Sequence, residues 1–119
     1  MSDILTPQKK VFLCMDNPAD HELIARMGRA LSVQERVRIM KSLLSASKSI
    51  AAISEELDIP ASSVSRHIDV LAEAGLVYVM YKPSPKGHVK YCSQAILELC
   101  VSLEPMSTDL KKKGYTGEM

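Results

Sequence analysis

Apolar residues recur every three or four positions through the first half of the chain, which is the spacing of amphipathic helices. The first such segment follows Asp20, an N-cap residue type, and the second follows Ser32. Ser32 and Glu35 have the spacing of a capping box, so we expect the second helix to begin there. The predicted inward faces are Leu23, Ile24, Met27 and Leu31 in the first helix, and Val37, Met40, Leu43 and Leu44 in the second.

Two further helices are predicted close together. Ser49 can cap a short third helix, Ile50–Leu57, and Asp58-Ile59-Pro60 interrupts it. Because proline is accepted in the first turn of a helix, a fourth helix over about 61–74 is expected, and Gly75 is the residue type that ends helices. The apolar stripes are Ile50, Ile53 and Leu57 in the third helix, and Val64, Ile68, Leu71 and Ala72 in the fourth.

The pattern changes after Gly75 from helical spacing to that of strands. Residues 76–81 are rich in β-branched and aromatic side chains, residues 82–88 contain two prolines and a glycine, and residues 89–93 alternate. A β-hairpin is therefore predicted. A last helix is expected over about 94–103, with its apolar face formed by Ile96, Leu97, Leu99, Cys100 and Leu103.

The chain ends lack periodicity, so we expect an N-terminal arm over 1–19, a single domain over 20–104 and a tail over 105–119. The length of 119 residues, 46% hydrophobic and 24% charged, suits one domain with a modest core. The predicted fold class is mainly α with a small β-hairpin (α+β). No apolar run is long enough to span a bilayer, and three widely spaced cysteines do not suggest a disulfide framework. A cytoplasmic location is therefore expected.

Basic residues are concentrated in the middle of the chain. Residues 23–92 contain ten lysines and arginines against six acids, a net charge of +4, whereas the rest has five against eight, or −3. This asymmetry favours a polyanionic partner for the middle segment, although it is modest.

The third and fourth helices have the layout of a helix-turn-helix, in which the second helix enters the major groove of DNA. Its first two turns hold short hydroxyls, an arginine and a histidine, which are side chains that bind base edges and phosphates. The hairpin can lie on the neighbouring backbone or in a minor groove. The candidate DNA-binding residues are Ser62, Ser63, Ser65, Arg66 and His67 on the helix, and Lys82, Lys86, His88 and Lys90 on the hairpin. Helix caps and a solvated face are the structural alternatives.

The segments "ALSVQERVRIMKSLL" and "SIAAISEELDIPASSVSRHIDVLAEAGLV" resemble the DNA-binding core of ArsR-type winged-helix repressors. The matching positions include Ala30-Leu31-Ser32, Arg36, Arg38-Ile39, Ser63–Ile68 and Glu73–Val77, and the resemblance covers about residues 28–92. It implies a winged helix-turn-helix with the outer helices forming a homodimer that reads a palindromic operator. The implied interface consists of Leu23, Ile24, Met27, Leu31, Ile96, Leu99, Cys100 and Leu103.

One feature departs from many metal-sensing members, which have a Cys-x-Cys motif before the recognition helix. The corresponding stretch here is Ser49–Ile53, without a thiol or imidazole, so no metal or other cofactor is expected. The cysteines are expected to be small buried packing residues. The predicted function is a sequence-specific DNA-binding transcription regulator that acts as a homodimer. The alternative is a winged helix that docks proteins without reading DNA. Enzymatic activity is not expected, since no local catalytic pair or phosphate-binding loop is present. The sequence identifies no effector.

Overall fold

A computed structural model of the protein describes residues 9–105 and contains four helices and two small sheets. A single 3-10 turn, Pro18–Asp20, precedes the first helix. The elements in chain order are β1 (Lys10–Cys14), α1 (His21–Ala30), α2 (Gln34–Ser42), β2 (Lys48–Ser49), α3 (Ile50–Leu57), α4 (Ala61–Glu73), β3 (Val77–Ser84), β4 (Gly87–Gln94) and β5 (Glu98–Ser102).

The boundaries of α3 and α4 follow from local chemistry, and the prediction for both is confirmed. Ser49 Oγ accepts the Ala52 N–H at 3.1 Å and caps α3. α4 begins directly after Pro60. It ends where Gly75 takes a φ of 83° and the Leu76 N–H bonds to the Leu71 carbonyl at 3.0 Å. This is a Schellman arrangement, and glycine adopts its left-handed conformation without strain.

The start and the inward face of α2 differ from the prediction. Val33 stands at the N-cap position, and Ser32 Oγ donates instead to the Arg29 carbonyl, so the capping box is wrong. Ile39 is fully buried, whereas Val37 is exposed because it lies about 200° around the helix from Ile39. Leu44 is 64% exposed because the helix has already ended at Ser42.

The hairpin is longer than predicted. β3 and β4 pair antiparallel from Val77 opposite Gln94 to Ser84 opposite Gly87, so only two residues connect them. β2 adds a short third strand to β4, giving the order β2-β4-β3. Most of the residues predicted as a turn, 82–88, therefore belong to paired strands.

The predicted last helix is wrong, because residues 98–102 form β5. This strand pairs in parallel with β1, a segment expected to be part of an N-terminal arm. Val11 lies opposite Leu99 and Leu13 opposite Val101, and both β1 residues are buried. An isolated helix of ten residues is only marginally stable, whereas pairing provides hydrogen-bond partners for backbone groups of both segments. The remainder of the predicted arm, 1–8, and of the tail, 106–119, lies outside the described residues.

One core joins the helices to both sheets. Its fully or almost fully buried side chains are Ala30, Ile39, Leu43, Ile53, Val64, Ile68, Leu71, Ala74, Leu76, Val77 and Cys92. Three of them belong to α4, which is held by α1, α2, α3 and β3. This packing determines which side of α4 faces solvent. No helix within residues 9–105 is long and apolar enough to cross a membrane.

Candidate nucleic-acid interface

The exposed side of α4 is a stripe of polar residues that runs along the helix. Ser62, Arg66, Asp69 and Glu73 are exposed and follow one another at intervals of four, three and four residues. The opposite side is apolar and buried, formed by Val64, Ile68 and Leu71. The packing therefore presents Ser62 and Arg66 in the first two turns, where recognition helices meet base edges.

The serines at the start of α4 do not occupy its N-cap position. Pro60 occupies it, and no side-chain hydrogen bond caps the helix. Ser62 is exposed, and Ser63 and Ser65 are half-buried. The capping explanation for this cluster therefore fails, and the hydroxyl of Ser62 lies beside the positive end of the helix, which favours anions.

His67 is partly buried against α2, whereas a side chain that reads DNA directly has to be exposed. Its ring is half-buried, and Arg36 Nε donates to His67 Nδ1 at 3.3 Å. Arg36 Nη1 also donates to the carbonyls of Arg29 at 3.0 Å and Ala30 at 3.4 Å. Burial, with the nearby Arg36 guanidinium, lowers the pKa of His67 below its ordinary value. The Arg36–His67 pair thus positions α4 against α1 and α2.

The hairpin residues divide into a free-standing tip and an anchored base. Lys86 and His88 are exposed at the tip. Lys82 Nζ lies 4.6 Å from the centroid of the Tyr91 ring, a cation–π contact. Lys90 Nζ lies 3.4 Å from Asp69 Oδ1. The structure therefore brings Lys90 to α4 and places the hairpin beside this helix.

The predicted dimer residues do not form two outer helix faces. Met27 and Ile96 are buried in the chain's own core, and Leu23, Ile24, Leu31 and Leu99 pack partly against it. Cys100 is half-buried rather than buried, and Leu103 is 76% exposed. Most of the set therefore packs at least partly within the single chain, and Cys100 and Leu103 at β5 are its more accessible members.

The cysteines and acidic residues form no evident metal site. Within the described part of the chain, no three His, Cys, Asp or Glu side chains are grouped to hold a metal ion. Cys14, Cys92 and Cys100 are free thiols. Burial raises the pKa of the Cys92 thiol to about 11, which suits a packing residue.

Two functional features were missed in the sequence. Arg36 had a visible signal, since it belongs to the segment of the resemblance, but its contact with His67 spans 31 residues of chain. Asp69 had no signal in the sequence, because its pairing with Lys90 requires the hairpin to lie against α4. Helical or strand spacing reveals neither contact.

Comparisons with known proteins identify the helix-turn-helix segment. Residues 34–79, from α2 into β3, match the family described as bacterial regulatory proteins of the arsR family. No curated protein matches the sequence significantly.

Solved structures show the fold. The homodimeric winged helix-turn-helix DNA-binding domain of Mb0332 from Mycobacterium bovis, a possible ArsR-family regulator, is 23% identical, with a TM-score of 0.59 over 65% of this chain and 68% of that one. HlyU from Vibrio cholerae is 19% identical, with a TM-score of 0.55 over 81% and 88% of the two chains. The predicted winged helix-turn-helix is confirmed, and its helix-turn-helix segment is similar to bacterial regulatory proteins of the arsR family.

Proposed function

We propose that the protein is a sequence-specific DNA-binding transcription repressor that acts in the cytoplasm as a homodimer on a palindromic operator. α4 enters the major groove, and the β3–β4 hairpin lies on the adjacent backbone or in the minor groove. The proposal assigns no metal, cofactor or catalytic role to the chain, and names no effector.

The observation that supports it best is that the polar side of α4 and the basic hairpin meet at the Lys90–Asp69 contact. We call the two together the recognition surface; it consists of Ser62, Ser65, Arg66, Lys82, Lys86, His88 and Lys90. The hydroxyls and Arg66 lie in the first two turns of α4, and Asp69, one turn after Arg66, pairs with Lys90 of the hairpin. Arginine can bind a guanine edge bidentately, and the lysines suit phosphates.

The homodimer is supported by the similarity to the M. bovis domain, which is homodimeric. Two recognition helices related by a two-fold axis, about 34 Å apart, would bind successive major grooves on one side of the duplex. A palindromic site follows from that symmetry.

The test is selection of bound duplexes from a random DNA pool, followed by anisotropy titrations with Arg66→Ala. The wild-type protein should enrich a palindrome, and the variant should lose about 1–3 kcal/mol of specific binding per half-site, with relaxed preference at one base pair of each half-site. Arg26→Ala is the matched control, because Arg26 lies on α1 and pairs with Glu22 at 2.8 Å. Selection that enriches no sequence, or a folded Arg66→Ala variant with unchanged affinity, would contradict the proposal.

A protein-docking winged helix is the second candidate, because Asp69 and Glu73 lie on the same exposed stripe as Arg66. Acidic side chains repel phosphate, and both lie in the later turns of α4. The two candidates are distinguished by the random-pool selection, since a docking module enriches no duplex. Asp69 is also neutralised by Lys90, which favours the DNA-binding function.

A further inference from the structure

The two-stranded sheet of β1 and β5 is an unusual element to find at the edge of a small domain. Parallel strands are normally covered on both faces, and a two-stranded sheet is marginal by itself. One face of this sheet is covered, since Val11 and Leu13 are buried and Leu99 packs against the core. β5 pairs with β1 along one edge, and no strand within residues 9–105 lies along its other edge.

The backbone direction shows which residues of β5 face that outer edge. The Ser102 carbonyl accepts the Met15 N–H at 2.8 Å, so the backbone N–H and C=O groups of Ser102 point toward β1. Alternate residues of a strand direct their backbone groups to opposite edges, so Leu99 and Val101 direct theirs outward. The usual protections of an edge, lysine and proline, are missing from β5 itself. Its one charge, Glu98, lies 3.8 Å from Lys10 on β1.

Two exposed leucines flank β5 symmetrically. Leu97 is 53% exposed and Leu103 is 76% exposed, and each lies three residues from Cys100. An antiparallel copy of the same segment, centred on Cys100, would bring each Leu97 opposite the partner's Leu103. The exposed apolar groups are therefore complementary to themselves under a two-fold rotation.

We propose that β5 pairs antiparallel with β5 of a second copy of this chain, around a two-fold axis at Cys100. The two sheets then become one four-stranded sheet, β1-β5-β5-β1. Leu99 and the partner's Val101 form hydrogen-bonded pairs, and the two Cys100 residues face each other as a non-hydrogen-bonded pair. The proposal rests on the proposed homodimer and names the surface that forms it.

Neighbouring registers of the same pairing are less favourable. An axis at Val101 sets Glu98 opposite the partner's Glu104, and like charges directly opposite each other destabilise a sheet. An axis at Leu99 sets Leu103 opposite only the partner's Ala95, which leaves most of that leucine exposed. The Cys100 axis avoids both problems.

The first test exchanges charges at the two leucines and measures the dimer dissociation constant by sedimentation equilibrium. Leu97→Lys alone and Leu103→Glu alone should each weaken the dimer about tenfold or more, because a charge is buried against a leucine. The double variant Leu97→Lys/Leu103→Glu should restore it, since each new ammonium then faces a new carboxylate. Leu44→Lys is the matched control, because Leu44 is equally exposed but lies after α2.

The second test uses the thiols. Facing residues in a non-hydrogen-bonded pair have Cα atoms about 4.5 Å apart, within the range for a disulfide. Mild copper-catalysed oxidation, in which two thiols give two protons and two electrons to the oxidant, should link the two Cys100 residues. Cys14→Ser should keep this covalent dimer and Cys100→Ser should lose it.

The outcomes separate this proposal from the proposed function. A wild-type dimer that is insensitive to the leucine exchanges and gives no Cys100-dependent crosslink would overturn β5 pairing, while the homodimer would stand. A wild-type monomer at micromolar concentration that binds its selected duplex tightly would overturn both the pairing and the homodimer. Circular dichroism of each variant verifies that it is folded, which is expected at the exposed positions Leu97, Leu103 and Leu44.

Discussion

The salt dependence of DNA binding should distinguish the tip of the hairpin from its base. Lys86 is exposed in the two-residue connection between β3 and β4, where its N–H bonds to Ser84 Oγ at 3.3 Å. Lys90 lies further down β4 and pairs with Asp69. If both lysines bind phosphates, Lys86→Ala removes a free charge, whereas Lys90→Ala removes a charge that a carboxylate already shares.

The magnitude follows from counterion release. Each phosphate contact contributes about 0.9 to the slope of log affinity against log salt concentration, and a homodimer has two hairpins. Lys86→Ala should therefore flatten the slope by about 1.8. When the salt concentration rises from 50 to 200 mM, the factor by which affinity falls should be about 12 times smaller for the variant than for the wild-type protein. Lys90→Ala should flatten it less, because binding of Lys90 to a phosphate competes with Asp69.

The assay is a series of anisotropy titrations with one selected duplex over this range of salt concentration. Arg26→Ala serves as the control, since its side chain pairs with Glu22 on α1, and its slope should equal that of the wild-type protein. A slope for Lys86→Ala that coincides with the wild-type slope would show that the hairpin tip does not touch DNA. The proposed placement of the hairpin would then be wrong.

Two further predictions concern stability. The pKa of His67 is lowered in the folded protein, so the unfolded chain binds more protons just below its ordinary pKa of about 6.5. The contribution of neutral His67 to stability is therefore fully present above that pH and is lost as the pH falls from there through the lower pKa of the folded protein. Denaturation at pH 7.5 and 5.5 should show a larger acid loss in the wild-type protein than in His67→Gln, and equal losses would refute this. Ile68→Ala, at a fully buried position, should lower the free energy of unfolding by about 2–5 kcal/mol in urea titrations, whereas exposed Val37→Ala should change it little.

The helix-turn-helix could be predicted because its signals are local. Ser49, Pro60 and Gly75 each determine a boundary within four residues of their own position. The buried stripe of α4 has a spacing that only a helix satisfies. Local chemistry and tertiary packing agree here, which is the condition under which sequence reasoning succeeds.

The ends of the domain could not be predicted in the same way. The apolar residues between 94 and 103 are spaced so that they fit a broad helix face and a short strand equally well. The choice depends on β1, whose residues lie more than 80 positions earlier. The apolar patch Val11–Met15 was visible in the sequence, but its pairing partner was not. Neither β1 nor β5 could therefore be predicted as a strand.

The candidate site shows the same division. The chemistry at the start of α4 was visible, and the structure exposes Ser62 and Arg66 as that chemistry requires. The contacts that position the site, Arg36 with His67 and Lys90 with Asp69, join residues 31 and 21 positions apart. Sequence spacing identifies which side chains can bind DNA, and packing decides which of them are already engaged.

The terminal sheet also has a consequence for DNA spacing. Val11, Leu13 and Ile96 belong to the same core as Val64 and Ile68 of α4. Ala95, which lies shortly before β5, donates its N–H to the Leu76 carbonyl at 3.0 Å. Leu76 directly follows Gly75, the residue that ends α4, so this bond joins the start of β5 to the end of α4. In the proposed homodimer the axis at β5 is therefore joined to each recognition helix through one packed unit. A change in the register of β5 pairing would move both helices, and with them the separation of half-sites that the protein can bind.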